Sequence, residues 1–181
     1  MVGTMAKLDP GYSVNRERMR MMRKGLEEFR MPRKGRVYSA TVGLSEPYYD
    51  DNAWVALGMY DFAEAEGKDS ECRMIANDIT DYVLSGESEN GGIFWKESVS
   101  SRNTCSSGPG IVAALKEYKL GGDEKYLAAA KRIYRWTRDV LCDPADNVYW
   151  DNATYDEQSG KESVVKSKFT YNSGTMIWAG V

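Results

Sequence analysis

GPGIVAALKEYKLGGDEKYLAAAKRIYRWTRDV, residues 108–140, is the stretch whose reading decides the fold. Residues 108–120 read as one helix, and the pair Gly121-Gly122 stops it. Asp123 then caps a second helix, in which Tyr126, Ala130, Ile133, Trp136 and Val140 recur at steps of three and four and so share a face. The same arrangement stands upstream. Trp54, Leu57, Tyr60 and Phe62 mark a helix over residues 51–66 that Gly67 closes. Cys72, Ile75, Ile79 and Tyr82 mark its partner over 69–84. Glu66-Gly67-Lys68-Asp69 and Leu120-Gly121-Gly122-Asp123 occupy equivalent places between paired helices. Helix, glycine break, helix and long irregular loop, repeated, is the pattern of stacked α-hairpins.

Working outward, Met19, Met22, Leu26 and Phe29 predict a further helix over residues 15–30, ended by Pro32 and Gly35. Residues 171–181 open another, which is still apolar where it stops and therefore reads as truncated. Residues 1–14 carry no such pattern and are expected to be poorly ordered. Three long loops, 38–49, 91–107 and 148–170, each precede the first helix of a pair. If the pairs curve into a ring, these loops gather at one rim, where binding residues tend to sit. A short hairpin within them is the extent of the β structure expected, so the class is read as all-α, in one domain.

Composition narrows the chemistry. At 181 residues the chain suits a single domain with a real core, and 42% hydrophobic with 28% charged residues is globular rather than disordered. A net charge of −3 argues against nucleic acid, and the basic run over 16–36 alternates with methionines as a solvated helix face does. No apolar run approaches the roughly 20 residues that span a bilayer, and residues 1–12 hold no hydrophobic stretch of the signal-peptide kind. Cys72, Cys105 and Cys142 fit neither a disulfide framework nor a zinc pattern and read as structural thiols. The chain has no histidine, which removes Ser-His-Asp and Cys-His catalysis and His-ligated metals together. Acid–base work falls to carboxylates, tyrosines or lysines.

Pro47-Tyr48-Tyr49-Asp50-Asp51-Asn52-Ala53-Trp54 is the densest candidate site: two adjacent carboxylates among three aromatics and an amide, where a loop meets a helix. Side chains diverging from neighbouring residues can set their carboxyl groups the ~5 Å apart that retaining glycosidases use. The same residues also serve as an N-cap and a first-turn acid favoured by the helix dipole, and local sequence leaves both readings open. Tyr48, Tyr49, Trp54, Phe94, Trp95, Tyr149, Trp150 and Tyr171 cluster on or beside the three loops, and flat rings with polar edges suit sugar faces. Asn103 precedes Ser106-Ser107-Gly108-Pro109, which reads as a second loop-to-helix junction. Asp151 and Asn152 add an acid and an amide in the third loop, where turn chemistry explains them equally well.

Taken together these segments resemble glycoside hydrolase family 76, the endo-α-1,6-mannanases. The resemblance rests on Tyr49-Asp50-Asp51-Asn52-Ala53-Trp54, Gly91-Gly92-Ile93-Phe94-Trp95, Arg102-Asn103 leading to Gly108-Pro109, Val148-Tyr149 with Asp151, and Thr170-Tyr171-Asn172-Ser173-Gly174-Thr175, spread from about residue 45 to the end. It implies an (α/α)6 barrel, of which this chain would supply an incomplete part. It also implies a retaining mechanism with Asp50 as nucleophile and Asp51 as acid/base. By the same resemblance Tyr49, Asn52, Trp54, Trp95, Asn103, Tyr149, Asp151, Tyr171 and Asn172 are expected to contact α-mannan or a manno-oligosaccharide, with no metal or organic cofactor. The family usually works outside the cytoplasm. Part of a ring would expose apolar surface and so permit oligomerisation. Two rival readings remain: another α/α-barrel sugar enzyme, such as an N-acylglucosamine 2-epimerase or unsaturated glucuronyl hydrolase, and a non-catalytic helical-repeat module that binds glycan or protein.

Overall fold

The computed structural model describes residues 13–33, 35–67 and 70–181. The disorder expected for residues 1–14 falls almost wholly outside these; Ser13 and Val14 open the first helix. The described residues form helices α1 (Ser13–Leu26), α2 (Tyr49–Glu66), α3 (Glu71–Ser85), α4 (Thr104–Gly121), α5 (Glu124–Leu141) and α6 (Thr170–Gly180). A 3-10 turn, Glu27–Phe29, follows α1, and strands β1 (Arg102–Asn103), β2 (Trp150–Asp156) and β3 (Lys161–Lys168) complete the order.

The all-α class is overturned by the sheet. β1, β2 and β3 lie in that order as three antiparallel strands, with Arg102 opposite Ala153 and Thr154 opposite Ser163. The physical reason is legible once the sheet is seen. Glu162 and Val164 are half-buried while Lys161, Ser163 and Val165 between them are exposed, which is the period of two that a strand with one covered face requires. Its polar face made the segment read as a loop. The reversal is built from Asp156, which accepts from Gln158 N (2.9 Å) and Ser159 Oγ (2.7 Å), with Gly160 at φ 65°.

The helices follow the predicted pairs. α2 packs against α3, and α4 against α5, while α2, α4 and α6 stand side by side. α5 has the two-sided pattern of a flank: Tyr126, Ala130 and Ile133 are buried, and Asp123 caps its start by accepting from Lys125 N at 3.0 Å. α4 is different, buried on nearly every side because α2, α5 and α6 surround it. Small residues make that possible. A Cβ on Gly108 would meet Thr175 Oγ1 of α6 at 2.5 Å, so α4 and α6 approach only through glycine. α4 also starts four residues before the expected Gly108, leaving Pro109 inside the helix. The preference for proline in the first turn is overridden by packing, at the loss of the bond that residue 109 would donate to the Cys105 carbonyl.

One device fastens each long loop. Tyr38, Ile93 and Tyr149 each form an isolated antiparallel bridge with a residue one or two positions past the end of the preceding helical segment: Arg30, Glu87 and Cys142. The backbone N–H of each then donates to the fourth residue of the following helix. Tyr38 donates to Asn52 Oδ1 (2.9 Å), Ile93 to Ser107 Oγ (3.1 Å) and Tyr149 to Ser173 Oγ (3.1 Å). The repeat read from the glycine breaks is thus also a repeat of hydrogen bonds, and it sets where each loop crosses the helix starts. Asn52 does most, since its Nδ2 also donates to the carbonyls of Tyr38 (2.9 Å) and Tyr48 (2.8 Å). Asn52→Ala is therefore expected to cost about 2–4 kcal/mol and Ser173→Ala about 1 kcal/mol, read by urea unfolding. Equal losses would show that the loops are held by packing instead.

Candidate active site

The three fastened loops bring one end of α2, α4 and α6 together around a cavity of about 540 Å³. Asp50, Asp51 and Trp54 reach it from α2, Trp95 and Ser101 from the second loop, and Asn103 and Cys105 from the β1–α4 junction. Asp151 and Asn152 come from β2, and Phe169, Tyr171 and Thr175 from the α6 end. Of the residues expected from sequence, Asp50, Asp51, Trp54, Trp95, Asn103, Asp151 and Tyr171 line this space. The other four do not. Tyr49 is buried and stacks on Tyr82 with ring centroids 5.0 Å apart, Asn52 holds the first loop, and Tyr149 lies in the core. Asn172 is fully buried, and neither of its amide side-chain atoms has a partner among the described residues. Ser101, Cys105 and Phe169 are not named by any of the motifs, and Thr175 stands in one without having been singled out.

A β-bulge explains how Asp151 and Asn152 both serve. Neighbouring strand residues normally face opposite ways, but the β2–β3 register shifts between Trp150 and Asn152. Asn152 Nδ2 then donates to Asp151 Oδ2 at 2.9 Å. Thr104 Oγ1, donating to the Trp150 carbonyl at 2.6 Å, ties the hairpin to the start of α4.

Asp50 and Asp51 lie in the first turn of α2, whose N-cap is Tyr48 with no side-chain cap bond. The helix dipole favours negative charge there, yet burial pushes both carboxyls above the ordinary carboxylate value. Their surroundings are unequal. For Asp50 the rise is opposed by donors: the Cys105 thiol, the Asp51 backbone and the Trp95 indole, whose Nε1 donates to Oδ2 at 3.3 Å. Asp51 is the more exposed of the two, but no donor offsets its partial desolvation, and the Asp50 charge adds to it. Trp95 is itself placed by Tyr49 N, which donates to its carbonyl at 2.9 Å, and by an edge contact with Tyr48 at 4.9 Å between centroids. Phe169 and Tyr171, which also line the cavity, stack at 5.4 Å and 11° and are both exposed. A larger cavity of about 660 Å³ lies elsewhere, lined by Arg36, Arg73, Asn77 and Glu117 among others, with no aromatic ring. Its central charges, Arg73 and Glu117, pair with each other at 2.8 Å.

The raised carboxyls have a consequence for stability. A carboxyl whose folded pKa exceeds its unfolded value contributes stability that is complete below the unfolded value, near 3.8, and is lost as pH climbs through the folded one. Wherever either carboxyl ionises it is therefore a burden that asparagine, a neutral isostere, lacks. Asp50→Asn and Asp51→Asn are expected to melt above the wild type at pH 7, with the gap closing toward pH 4. Variants that melt lower at pH 7 would refute this.

Comparison with known proteins places the geometry in a family. Residues 9–181 match the family described as Glycosyl hydrolase family 76. A family 76 glycoside hydrolase from a bovine Bacteroides thetaiotaomicron strain superposes with a TM-score of 0.88 at 27% identity, over 98% of this chain and 40% of that one. An inactive variant of the α-1,6-mannanase GH76A of Salegentibacter sp. HEL1_6, solved with α-1,6-mannotriose, is 32% identical over 73% of this chain and 39% of its own, at a TM-score of 0.66. The meiotically up-regulated gene 191 protein of Schizosaccharomyces pombe is 28% identical over 151 residues, which are 76% of this chain and 34% of that protein. The chain thus spans less than half the length of these three relatives. With a family match that runs over nearly all of its residues, the chain belongs to glycosyl hydrolase family 76.

Proposed function

We propose that this protein hydrolyses α-1,6-linked mannan by a retaining mechanism, with Asp50 as nucleophile and Asp51 as acid/base. The observation that carries the division of roles is the unequal surroundings of the two carboxyls. A nucleophile must be ionised, and Asp50 has donors that stabilise its charged form. An acid must hold its proton, and Asp51, partly desolvated beside a negative charge, has no donor to favour its charged form. Asp50 attacks the anomeric carbon while Asp51 protonates the departing glycosidic oxygen; Asp51 then takes a proton from water, which hydrolyses the glycosyl-enzyme. Trp95, Trp54, Phe169 and Tyr171 offer ring faces, while Asn103, Asp151 and Asn152 offer groups that bind hydroxyls. Asn103 Oδ1 is buried and unpartnered among the described residues, as a site awaiting a hydroxyl donor would leave it.

The α-1,6-mannan specificity draws on the Salegentibacter relative, whose inactive form with two consecutively numbered aspartates replaced by asparagine was solved with α-1,6-mannotriose. The test is incubation with linear α-1,6-mannan and chromatography of the products. Manno-oligosaccharides from the wild type, absent with Asp50→Asn, support the reading. Soluble, folded protein that releases nothing strikes the catalytic claim for this polypeptide and favours a binding module.

A further inference from the structure

Helices α1, α3 and α5, which precede the three fastened loops, are joined to one another by opposite charges. Arg23 of α1 meets Glu71 of α3 at 2.7 Å, and Lys125 of α5 meets Asp81 of α3 at 3.6 Å. Arg132 of α5 adds Glu87, just past α3, at 2.6 Å. α5 has a second edge, on the other side of its buried stripe. Leu127, Lys131, Tyr134, Arg135 and Arg138 recur there at the spacing of one helix face. The three basic side chains are exposed. Lys131 and Arg135 have no acidic partner among the described residues, and Arg138 pairs only with its neighbour Asp139. Beside this edge runs a groove of about 340 Å³, lined further by Ile111 and Leu115 of α4 and Ala179 of α6. α6 carries no charged residue. The groove therefore has an apolar floor, cations along one wall and no acid.

We propose that this groove seats an amphipathic helix of a partner protein, laid along α5 with acidic side chains against Lys131, Arg135 and Arg138. Its apolar face rests on Ile111, Leu115, Leu127 and Ala179. Charge decides the occupant. Where α5 already has a helical neighbour, each base on α5 faces an acid on α3 or just past it, and the open edge offers bases again. A second copy of this chain does not suit. The helix at the far end of its row, α1, carries Arg16, Arg18, Arg20, Arg23 and Lys24 against one acid, Glu17, so like charges would meet. α3, whose acids would suit, is held between α1 and α5 by the pairs above. The apolar floor supplies most of the affinity, and the basic wall sets the direction and register of the helix. The groove shares no residue with the carboxylate cavity, so the proposal does not rest on the mannanase reading.

The probe is a stapled, fluorescein-labelled peptide of residues 70–86, made with Cys72→Ala against oxidation. It carries α3, whose edge of Glu71 and Asp78 already meets Arg23 and Arg36. Its binding to the whole chain is read by fluorescence anisotropy. The wild type is expected to bind it, and the Lys131→Glu, Arg135→Glu double variant to bind it about tenfold more weakly or worse. A peptide with Glu71→Lys and Asp78→Lys is expected to reverse that order and prefer the double variant. The reversal also shows that the variant is folded, and both changes stand at exposed positions. Three results overturn the proposal: no binding to the wild type, equal binding to wild type and variant, or a wild-type dimer in sedimentation that the variant breaks. Oligosaccharide release is expected to be the same in both chains, so a failure of the mannanase reading shows there and leaves the anisotropy untouched.

Discussion

Asp50→Asn is expected to lower hydrolysis of α-1,6-mannan by about a thousandfold or more, while leaving mannotriose binding within a few-fold of the wild type. The asparagine amide keeps the size of the carboxyl and can still accept from Trp95 Nε1, so the cavity keeps its shape. What disappears is the bond to the anomeric carbon, and a covalent route without its nucleophile has no partial substitute. Asp51→Asn is expected to cost about 10²- to 10⁴-fold on mannan, the usual contribution of a positioned acid. The two variants separate on an activated aryl α-mannoside. A leaving group that departs without a proton restores cleavage to the Asp51 variant and does nothing for the Asp50 variant. Restoration of the Asp50 variant and not the Asp51 variant would exchange their roles.

Arg102→Ala is expected to cost about 3–5 kcal/mol of stability, the largest effect away from the carboxylates. Arg102 is 1% exposed, ion-paired to Glu162 of β3, and its Nη1 donates to the carbonyls of Asn90 and Gly91, each at 3.2 Å. Its guanidinium also lies over the Trp136 ring, 4.8 Å from the centroid. That ring packs against Gly92, at φ 75°, where an added Cβ would stand 2.2 Å away. Alanine would leave two carbonyls and a carboxylate without their donor, and a void beneath the ring. Lysine cannot stand in, because a single ammonium does not span three acceptors as a planar fork does. The same side chain joins β1 to β3, so the hairpin that carries Asp151 and Asn152 is expected to loosen first. Faster amide exchange over residues 150–168, with α2 and α3 unchanged at low denaturant, would show it. A loss below about 1 kcal/mol in urea unfolding would mean that the ion pair contributes little.

Much of this fold was legible without coordinates. The helix pairs were read from apolar residues three and four apart, and from Gly67 and Gly121-Gly122 between partners, because those signals come from neighbours within one or two turns. The sheet was missed as a sheet. Arg102 pairs with Ala153 and Trp150 with Lys168, so its strands are made by partners distant in sequence, and their polar exposed face imitates a loop. The start of α4 was placed late for a related reason: the local preference of Pro109 for a first turn lost to the packing of α2, α5 and α6 around that helix.

The site divides along the same line. By itself the sequence determined the repeat of helix and loop, the absence of histidine chemistry, and the motif of adjacent carboxylates with its aromatic neighbours, since each is written in residues close together in the chain or in composition. Only the tertiary structure decided that Tyr49, Asn52, Tyr149 and Asn172 face inward while Cys105, Phe169 and Thr175 face the cavity, and that a bulge turns Asp151 and Asn152 to the same side. The reason is geometric. A side chain at a loop-to-helix junction gains its direction from the elements packed against it, and here those elements stand some 50 to 120 residues apart in sequence, from Asp50 to Cys105 to Tyr171.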